Sequence, residues 1–185
     1  MGDVSNYGTS EDYENSKGLA EVLTKRLQTV RVCGDKKGCF TKGYYKFTNG
    51  SQWNDSLDNG KHRYKLITID GMSMAFHWYS RDCNRLDKNL EICGIVFVDI
   101  DGPRGGTATW GKDLYRFMLT KDRIIPDGDP RHAGDSFNKS ECPKQGTQCA
   151  AWVIYNENRD YLKCKDLEWD KKSRCKEEKF NNLPK

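Results

Sequence analysis

The sequence predicts an α+β domain, in which an N-terminal amphipathic helix precedes an antiparallel β-sheet with disulfide-stapled loops at its edges. Three observations support this fold class. Apolar residues recur at helical spacing near the N-terminus. Alternating or β-branched runs follow, and turn residues such as Asp-Gly separate them. The chain also contains eight cysteines, which are spaced as local pairs.

The helix is predicted from Gly18 to Val32, a length of about four turns. Ser16 precedes this segment as a candidate N-cap, and Gly34 suits the left-handed conformation that often ends a helix. Residues 1–15 are polar and show no apolar period, so we interpret them as a tail or linker. The apolar positions of the predicted helix are Leu19, Val22, Leu23, Leu27 and Val30.

The sheet is predicted from two pairs of strands. Tyr64–Ile69 and Met72–Trp78 flank Asp70-Gly71, a turn signal that is typical of a hairpin. Gly94–Ile100 and Leu114–Leu119 flank a long loop that is rich in Gly, Pro and Asp. Side chains alternate along a strand, so the last of these strands has two faces. One face carries Leu114, Arg116 and Met118, and the other carries Tyr115, Phe117 and Leu119.

The rest of the chain is predicted to be mostly loop. Cys33–Gly60 carries turn signals such as Asn49-Gly50. We interpret the apolar run Ala150–Tyr155 as a short strand or core segment, and Arg159–Asp170 as a short helix or ordered turn. Because no linker divides the pattern, residues 16–185 are predicted to form one domain.

We interpret the cysteines as disulfide partners. No pair has Cys-x-x-Cys spacing and the chain has only 3 histidines, so a zinc site is the weaker alternative. Disulfides persist in oxidising compartments, which predicts an extracytoplasmic protein. Each short staple would contribute roughly 2–3 kcal/mol of stability. The simplest connectivity joins neighbours: Cys33–Cys39, Cys83–Cys93, Cys142–Cys149 and Cys164–Cys175.

Composition argues against a nucleic-acid partner. The net charge of +4 comes from 31 basic and 27 acidic residues whose signs are mixed along the chain. Nucleic-acid-binding proteins usually concentrate basic residues on one face. The sequence opens without a signal peptide or an apolar run of membrane-spanning length. Because an exported protein needs an export signal, we expect the native chain to carry a further N-terminal segment.

The motifs of common catalytic sites are missing from the sequence. It has no G-x-S-x-G, H-E-x-x-H or phosphate-binding loop. His62, His77 and His132 lie far apart along the chain, and cysteines that are all paired leave no thiol nucleophile. We therefore predict that the protein is not an enzyme.

One cluster of carboxylates has two interpretations. Asp99 and Asp101 precede Gly102, and Asp113 follows a dozen residues later. Asp-Gly is an ordinary turn signal, so a structural turn is the main interpretation. Calcium prefers oxygen ligands from Gly-containing loops, so a calcium site formed by these three aspartates is the alternative. If calcium is a cofactor here, we expect it to brace the loop.

Three stretches resemble one known family. Ile95–Gly128 reads IVFVDIDGPRGGTATWGKDLYRFMLTKDRIIPDG, Leu66–Phe76 reads LITIDGMSMAF, and Cys149–Cys164 reads CAAWVIYNENRDYLKC. Together they are similar to the globular head of bacterial type IV pilin-like proteins, which include the pseudopilins of type II secretion systems. Gly106–Thr109 departs from the pattern, because a Pro-Asn pair is expected there.

The resemblance implies a structural subunit of an extracellular filament. Members of the family begin with a short basic leader and a long hydrophobic helix, which anchors the precursor in the membrane and then forms the fibre core. This sequence contains neither segment. The implied partners are other pilin or pseudopilin subunits and the inner-membrane assembly machinery. The implied location is the periplasm or the cell surface.

A secreted adhesin or carbohydrate-binding module is the alternative function. Its stacking surfaces would come from tryptophans, although aromatic residues in strands more often belong to the core. The tryptophans considered for this role are Trp53, Trp78, Trp110 and Trp152.

Overall fold

The computed structural model describes residues 13–87, 89–133, 141–163 and 167. Within these residues the chain forms an α+β fold around a six-stranded antiparallel sheet of order β1-β4-β5-β8-β9-β10. Two small hairpins, β2-β3 and β6-β7, lie outside this sheet. In chain order the elements are α1 (Tyr13–Leu23), β1 (Thr29–Gly34), β2 (Tyr45–Lys46), β3 (Gln52–Trp53), β4 (Tyr64–Thr68), β5 (Ser73–Trp78), β6 (Arg85–Asp87), β7 (Leu90–Ile92), β8 (Gly94–Asp99), β9 (Leu114–Leu119), β10 (Ile124–Pro126), α2 (Pro130–Ala133) and α3 (Ala150–Asn156).

The four predicted strands are confirmed to within one residue at each end. β4 and β5 form the predicted hairpin, with Tyr64 opposite Phe76 and Ile67 opposite Ser73. Gly71 lies in its turn with a φ of 91°, a conformation that glycine adopts without strain. β8 lies between β5 and β9. These four strands therefore form the centre of the sheet, with β1 and β10 at its edges.

Both faces of the sheet are apolar. On the face that we call the loop face, Ile95, Phe97, Leu114 and Met118 pack under the segment that precedes β4. On the opposite face, which we call the helix face, α1 packs on β4 and β5 through Leu19 and Ala20. Further along the helix face, α3 packs near Tyr115 of β9. The two predicted faces of β9 are thus confirmed, and each belongs to a different layer of the core.

The predicted boundaries of the first helix were wrong. The helix runs from Tyr13 to Leu23, and the last four residues of the predicted segment belong to β1, which pairs with β4 at the sheet edge. Thr29, Val30 and Val32 are β-branched and suit a strand as well as their spacing suits a helix. The segment forms a strand because the edge of β4 is available for pairing. The periodicity of the sequence does not reveal that this edge is available.

Ala150–Asn156 is a helix, which corrects our prediction of a short strand or core segment for Ala150–Tyr155. A short apolar run is compatible with either structure. The helix buries Trp152 completely against the sheet, and the Nε1 of Trp152 donates a hydrogen bond of 2.8 Å to Asn158 Oδ1. Glu157 ends the helix with a φ of 55°, and its N–H donates to the Val153 carbonyl.

The long segment between β1 and β4 is fixed by two buried polar groups. The carboxylate of Asp58 accepts hydrogen bonds from the N–H groups of Gly38, Cys39 and Phe40. The ammonium of Lys65, on β4, donates to the carbonyls of Asp35, Asp58 and Gly60. These bonds satisfy backbone groups that an irregular segment cannot pair by itself.

Three disulfides staple the described part of the chain: Cys33–Cys39, Cys83–Cys93 and Cys142–Cys149. Each of them belongs to the predicted sequential scheme. The fourth predicted pair, Cys164–Cys175, lies outside the described residues. The disulfides indicate an oxidising, extracytoplasmic environment. Among the described residues, no helix has the length and apolar character needed to cross a membrane.

Candidate interaction surface

An apolar groove crosses the helix face of the sheet between α1 and α3. Its floor consists of Met74 on β5, Val98 on β8 and Phe117 on β9, and each of these side chains is only half-buried. The groove comprises two adjoining cavities of about 290 Å³ and 340 Å³, which share Val98 and Phe117. We call this surface the sheet groove.

The sheet groove follows from strand register and helix placement. Met74 lies directly opposite Val98 in the β5–β8 pair, and both belong to the helix face. Phe117 belongs to the same face one strand further on, opposite Val96. α1 packs on β4 and β5, while α3 packs on β9 and β10. The two helices therefore cover the ends of this face and leave the middle of the sheet partly exposed.

The rim of the sheet groove exposes large apolar side chains. Leu27 and Ile124 at the α1 end are each 42% exposed, and Ile154 of α3 is 49% exposed. Among the described residues that line the groove, Arg159 is the only charged one, and it lies at the α3 end. Single exposed apolar residues are common, whereas a contiguous apolar groove with such a rim is a candidate interaction surface.

The calcium alternative stays a prediction, and in the structure two of its three aspartates, Asp99 and Asp113, accept hydrogen bonds from the protein. Asp99 is fully buried, and its carboxylate accepts hydrogen bonds from the Tyr45 hydroxyl and from the N–H groups of Asp101 and Gly102. Asp113 accepts a hydrogen bond of 3.0 Å from the Thr109 N–H. In the described ranges, no group of three or more His, Cys, Asp or Glu residues could hold a metal ion.

Asp99 therefore braces the turn after β8, in agreement with the structural interpretation. The turn is also tightly packed, because a Cβ on Gly102 would overlap the Gly71 carbonyl of the β4–β5 turn. Burial raises the pKa of Asp99 to about 6, although the hydrogen bonds from Tyr45 and the backbone act in the opposite direction. Burial and the nearby Asp99 carboxylate raise the pKa of Tyr45, so this phenol stays a donor.

The pKa of Asp99 predicts pH-dependent stability. The folded state binds this proton more tightly than the unfolded state does. The resulting stabilisation is complete below about pH 4 and is lost as the pH rises through about 6. Between pH 4 and pH 8 the expected loss in the free energy of unfolding is on the order of 3 kcal/mol. Asp99→Asn should remove most of this slope, as measured by urea unfolding at several pH values.

The exposed Asp82 provides the matched control for that measurement. Asp82→Asn removes a carboxylate of ordinary solvation, so its stability should follow that of the unsubstituted protein across the pH range. Parallel curves for Asp99→Asn and the unsubstituted protein would contradict the role assigned to the buried carboxylate.

Two of the three histidines, His62 and His77, lie close together in the structure, although they are distant along the sequence. The rings of His62 and His77 lie 4.6 Å apart between centroids, and the ring of Tyr79 lies 4.5 Å from that of His77. Burial, together with the nearby Arg63 and His62, lowers the pKa of His77 to about 3. His77 is therefore a neutral, buried residue of β5 at physiological pH.

Sequence reasoning missed the sheet groove itself. Alternation placed Phe117 on one predicted face of β9, but it gave no signal for the strand register that brings Met74 and Val98 to the same face, or for the helices that cover them. No protein-family model, curated protein or solved structure matches the chain.

Proposed function

We propose that this chain is the globular head of a pilin-like or pseudopilin-like subunit of an extracellular filament. The observation that carries the proposal is the sheet groove. A fibre subunit must hold its neighbours, or its own hydrophobic helix, without covalent bonds. An apolar groove on the head supplies the buried area that such contacts need.

The shape and chemistry of the sheet groove suit a helix better than a small polar ligand. Its floor runs across three adjacent strands, from Met74 through Val98 to Phe117. Sheets normally bury such a face under a helix. The occupant implied by the family resemblance is an apolar helix of the same subunit or of a neighbouring one.

The disulfide staples agree with assembly outside the cytoplasm. A head with three short covalent loops keeps its shape in an oxidising environment, where a thin core would otherwise limit its stability. On this proposal the precursor is anchored in the membrane by an N-terminal hydrophobic helix and meets the inner-membrane assembly machinery there. The assembled form lies in the periplasm or at the cell surface.

The adhesin alternative receives less support from the tryptophans named for it. Trp78 and Trp152 are fully buried, and Trp110 is 4% exposed. Trp53 is partly buried and packs edge-on against Trp110. None of these four side chains forms an open platform for an extended glycan.

Mechanical shearing of the cells that make the protein tests the proposal. An antibody raised against residues 13–163 should detect most of the protein in the sheared, sedimentable filament fraction. The remainder should be found in the membrane fraction as precursor. Protein that occurs only in the culture fluid, and that stays in the supernatant after ultracentrifugation, would contradict a filament role.

A further inference from the structure

A second cavity lies on the loop face, on the opposite side of the sheet from the sheet groove. Its volume is about 240 Å³, and Phe47, Trp53, Phe97 and Trp110 supply its aromatic walls. The rings of Trp53 and Trp110 meet at 80° with their centroids 5.0 Å apart. We call this cavity the aromatic pocket. It is smaller than the range of about 300–1,000 Å³ that drug-sized ligands occupy, so an occupant must be compact.

Two buried polar atoms of the pocket residues have no hydrogen-bond partner among the described residues. They are Nε1 of Trp110, an N–H donor, and Oε1 of Gln148, a carbonyl acceptor. Trp110 is 4% exposed and Gln148 is 3% exposed, and both line the aromatic pocket. An unpaired buried polar atom costs roughly 1–3 kcal/mol, so such a donor and acceptor in one cavity point to a ligand.

The segment that carries Gln148 is held rigidly against Trp110. The Cys142–Cys149 disulfide closes this segment into a short loop. A Cβ on Gly146 would overlap the Trp110 carbonyl, so the loop and the pocket wall are in direct contact. Gln148 itself has a φ of 60°, a conformation that non-glycine residues adopt only when the surroundings hold them there. The pocket is therefore pre-formed.

The two charged side chains that line the pocket have partners within the protein. The Arg116 guanidinium donates to Asp127 at 2.6 Å and pairs with Asp87 at 3.3 Å. The Glu141 carboxylate accepts a hydrogen bond of 2.7 Å from the Thr147 hydroxyl. Arg116 is already paired with two carboxylates, and the Glu141 carboxylate repels an anion, so the pocket favours a neutral occupant over an anionic one.

From these features we propose that the aromatic pocket binds a compact, neutral ring that bears hydroxyl groups, the chemistry of a single sugar residue. A hydroxyl group both donates and accepts. It can therefore accept from Trp110 Nε1 and donate to Gln148 Oε1, while the aromatic walls contact the C–H face of the ring. The assignment is independent of the filament role, because the pocket and the sheet groove lie on opposite faces of the sheet.

The test is NMR titration of the folded protein, with its disulfides intact and its tryptophans labelled with ¹⁵N. The probes are the methyl glycosides of glucose, galactose, mannose and N-acetylglucosamine, each added up to about 50 mM, since single-residue recognition gives dissociation constants on the order of 1 mM. At least one glycoside should shift the Trp110 indole signal saturably. The Trp152 indole already donates to Asn158 and should not move.

Substitution of Gln148 separates specific binding from solvent effects. Gln148→Met keeps the length of the side chain and removes the acceptor, and it should weaken binding about tenfold, the effect of one lost hydrogen bond. Gln52→Met makes the same change at an exposed position and should bind as the unsubstituted protein does. If Gln148→Met does not fold, the Trp110 titration of the unsubstituted protein decides.

Two results would overturn the assignment. One is a Trp110 indole signal that no glycoside shifts. Ordered water would then be the hydrogen-bond partner of Trp110 Nε1 and Gln148 Oε1. The other is equal glycoside affinity in Gln148→Met and Gln52→Met.

Discussion

Met74→Lys is expected to remove the protein from the filament fraction while the isolated head remains folded. Met74 is half-buried in the floor of the sheet groove, so the lysine stem can follow the groove and keep its ammonium in water. The free head should lose less than about 1 kcal/mol of stability. When a partner helix covers the groove, the same ammonium is buried without a counter-ion, which costs several kcal/mol. We expect at least about a 100-fold loss of incorporation.

Leu86→Lys is the control for this substitution. Leu86 belongs to the small β6–β7 hairpin, is 68% exposed and lies outside the sheet groove. Leu86→Lys introduces the same charge into the same head. The comparison therefore separates an effect of the groove from an effect of net charge. Equal recovery of the Met74→Lys and Leu86→Lys proteins in the sheared fraction would show that the groove carries no subunit contact.

Lys65→Met is expected to lower the free energy of unfolding by about 4 kcal/mol. The Lys65 ammonium donates to the carbonyls of Asp35 at 3.0 Å, Asp58 at 2.8 Å and Gly60 at 3.3 Å. Methionine matches its volume and leaves these three carbonyls without their donor. The segment before β4, which covers the loop face, would loosen first. Urea unfolding measures the loss.

Lys61→Met provides the comparison for Lys65, because Lys61 is exposed in the same part of the chain. Its substitution should change stability by less than about 0.5 kcal/mol. Burial lowers the pKa of Lys65, whereas the nearby Asp58 and Asp35 act to raise it. A loss below about 1 kcal/mol for Lys65→Met would show that water replaces the three bonds, and that the ammonium does not hold the segment.

The central strands were predictable because local chemistry and tertiary pairing agree there. Asp70-Gly71 specifies a hairpin turn, and the runs on either side have the composition and length of strands. The disulfides Cys33–Cys39 and Cys83–Cys93 were predictable for a similar reason, since each joins neighbouring cysteines across a local loop. Predicting these strands and disulfides required no information about distant parts of the chain.

The errors lie where local signals are ambiguous. Thr29–Val32 satisfies a helical period and a strand composition equally well, and the exposed edge of β4 decides for a strand. Ala150–Tyr155 is too short for its period to be informative, and its packing on the sheet decides for a helix. Tertiary context outweighs intrinsic propensity at both places.

The candidate surfaces were the least predictable features. The face of Phe117 follows from alternation in β9, but the neighbouring positions of Met74 and Val98 depend on strand register, and the gap between α1 and α3 depends on where both helices pack. The aromatic pocket depends on Gln148, which a disulfide-closed loop places in the wall of the same cavity as Trp110. Sequence spacing gave no signal for either arrangement, because each is made of residues that are distant along the chain.

The most direct test of the filament proposal is mass spectrometry of the N-terminal peptide of the protein recovered from the sheared fraction. The proposal predicts a mature chain that begins with a long hydrophobic segment, carries an N-methylated first residue and continues into the helix Tyr13–Leu23. A mature chain that begins close to Asp3, after removal of an ordinary secretory signal, would contradict it.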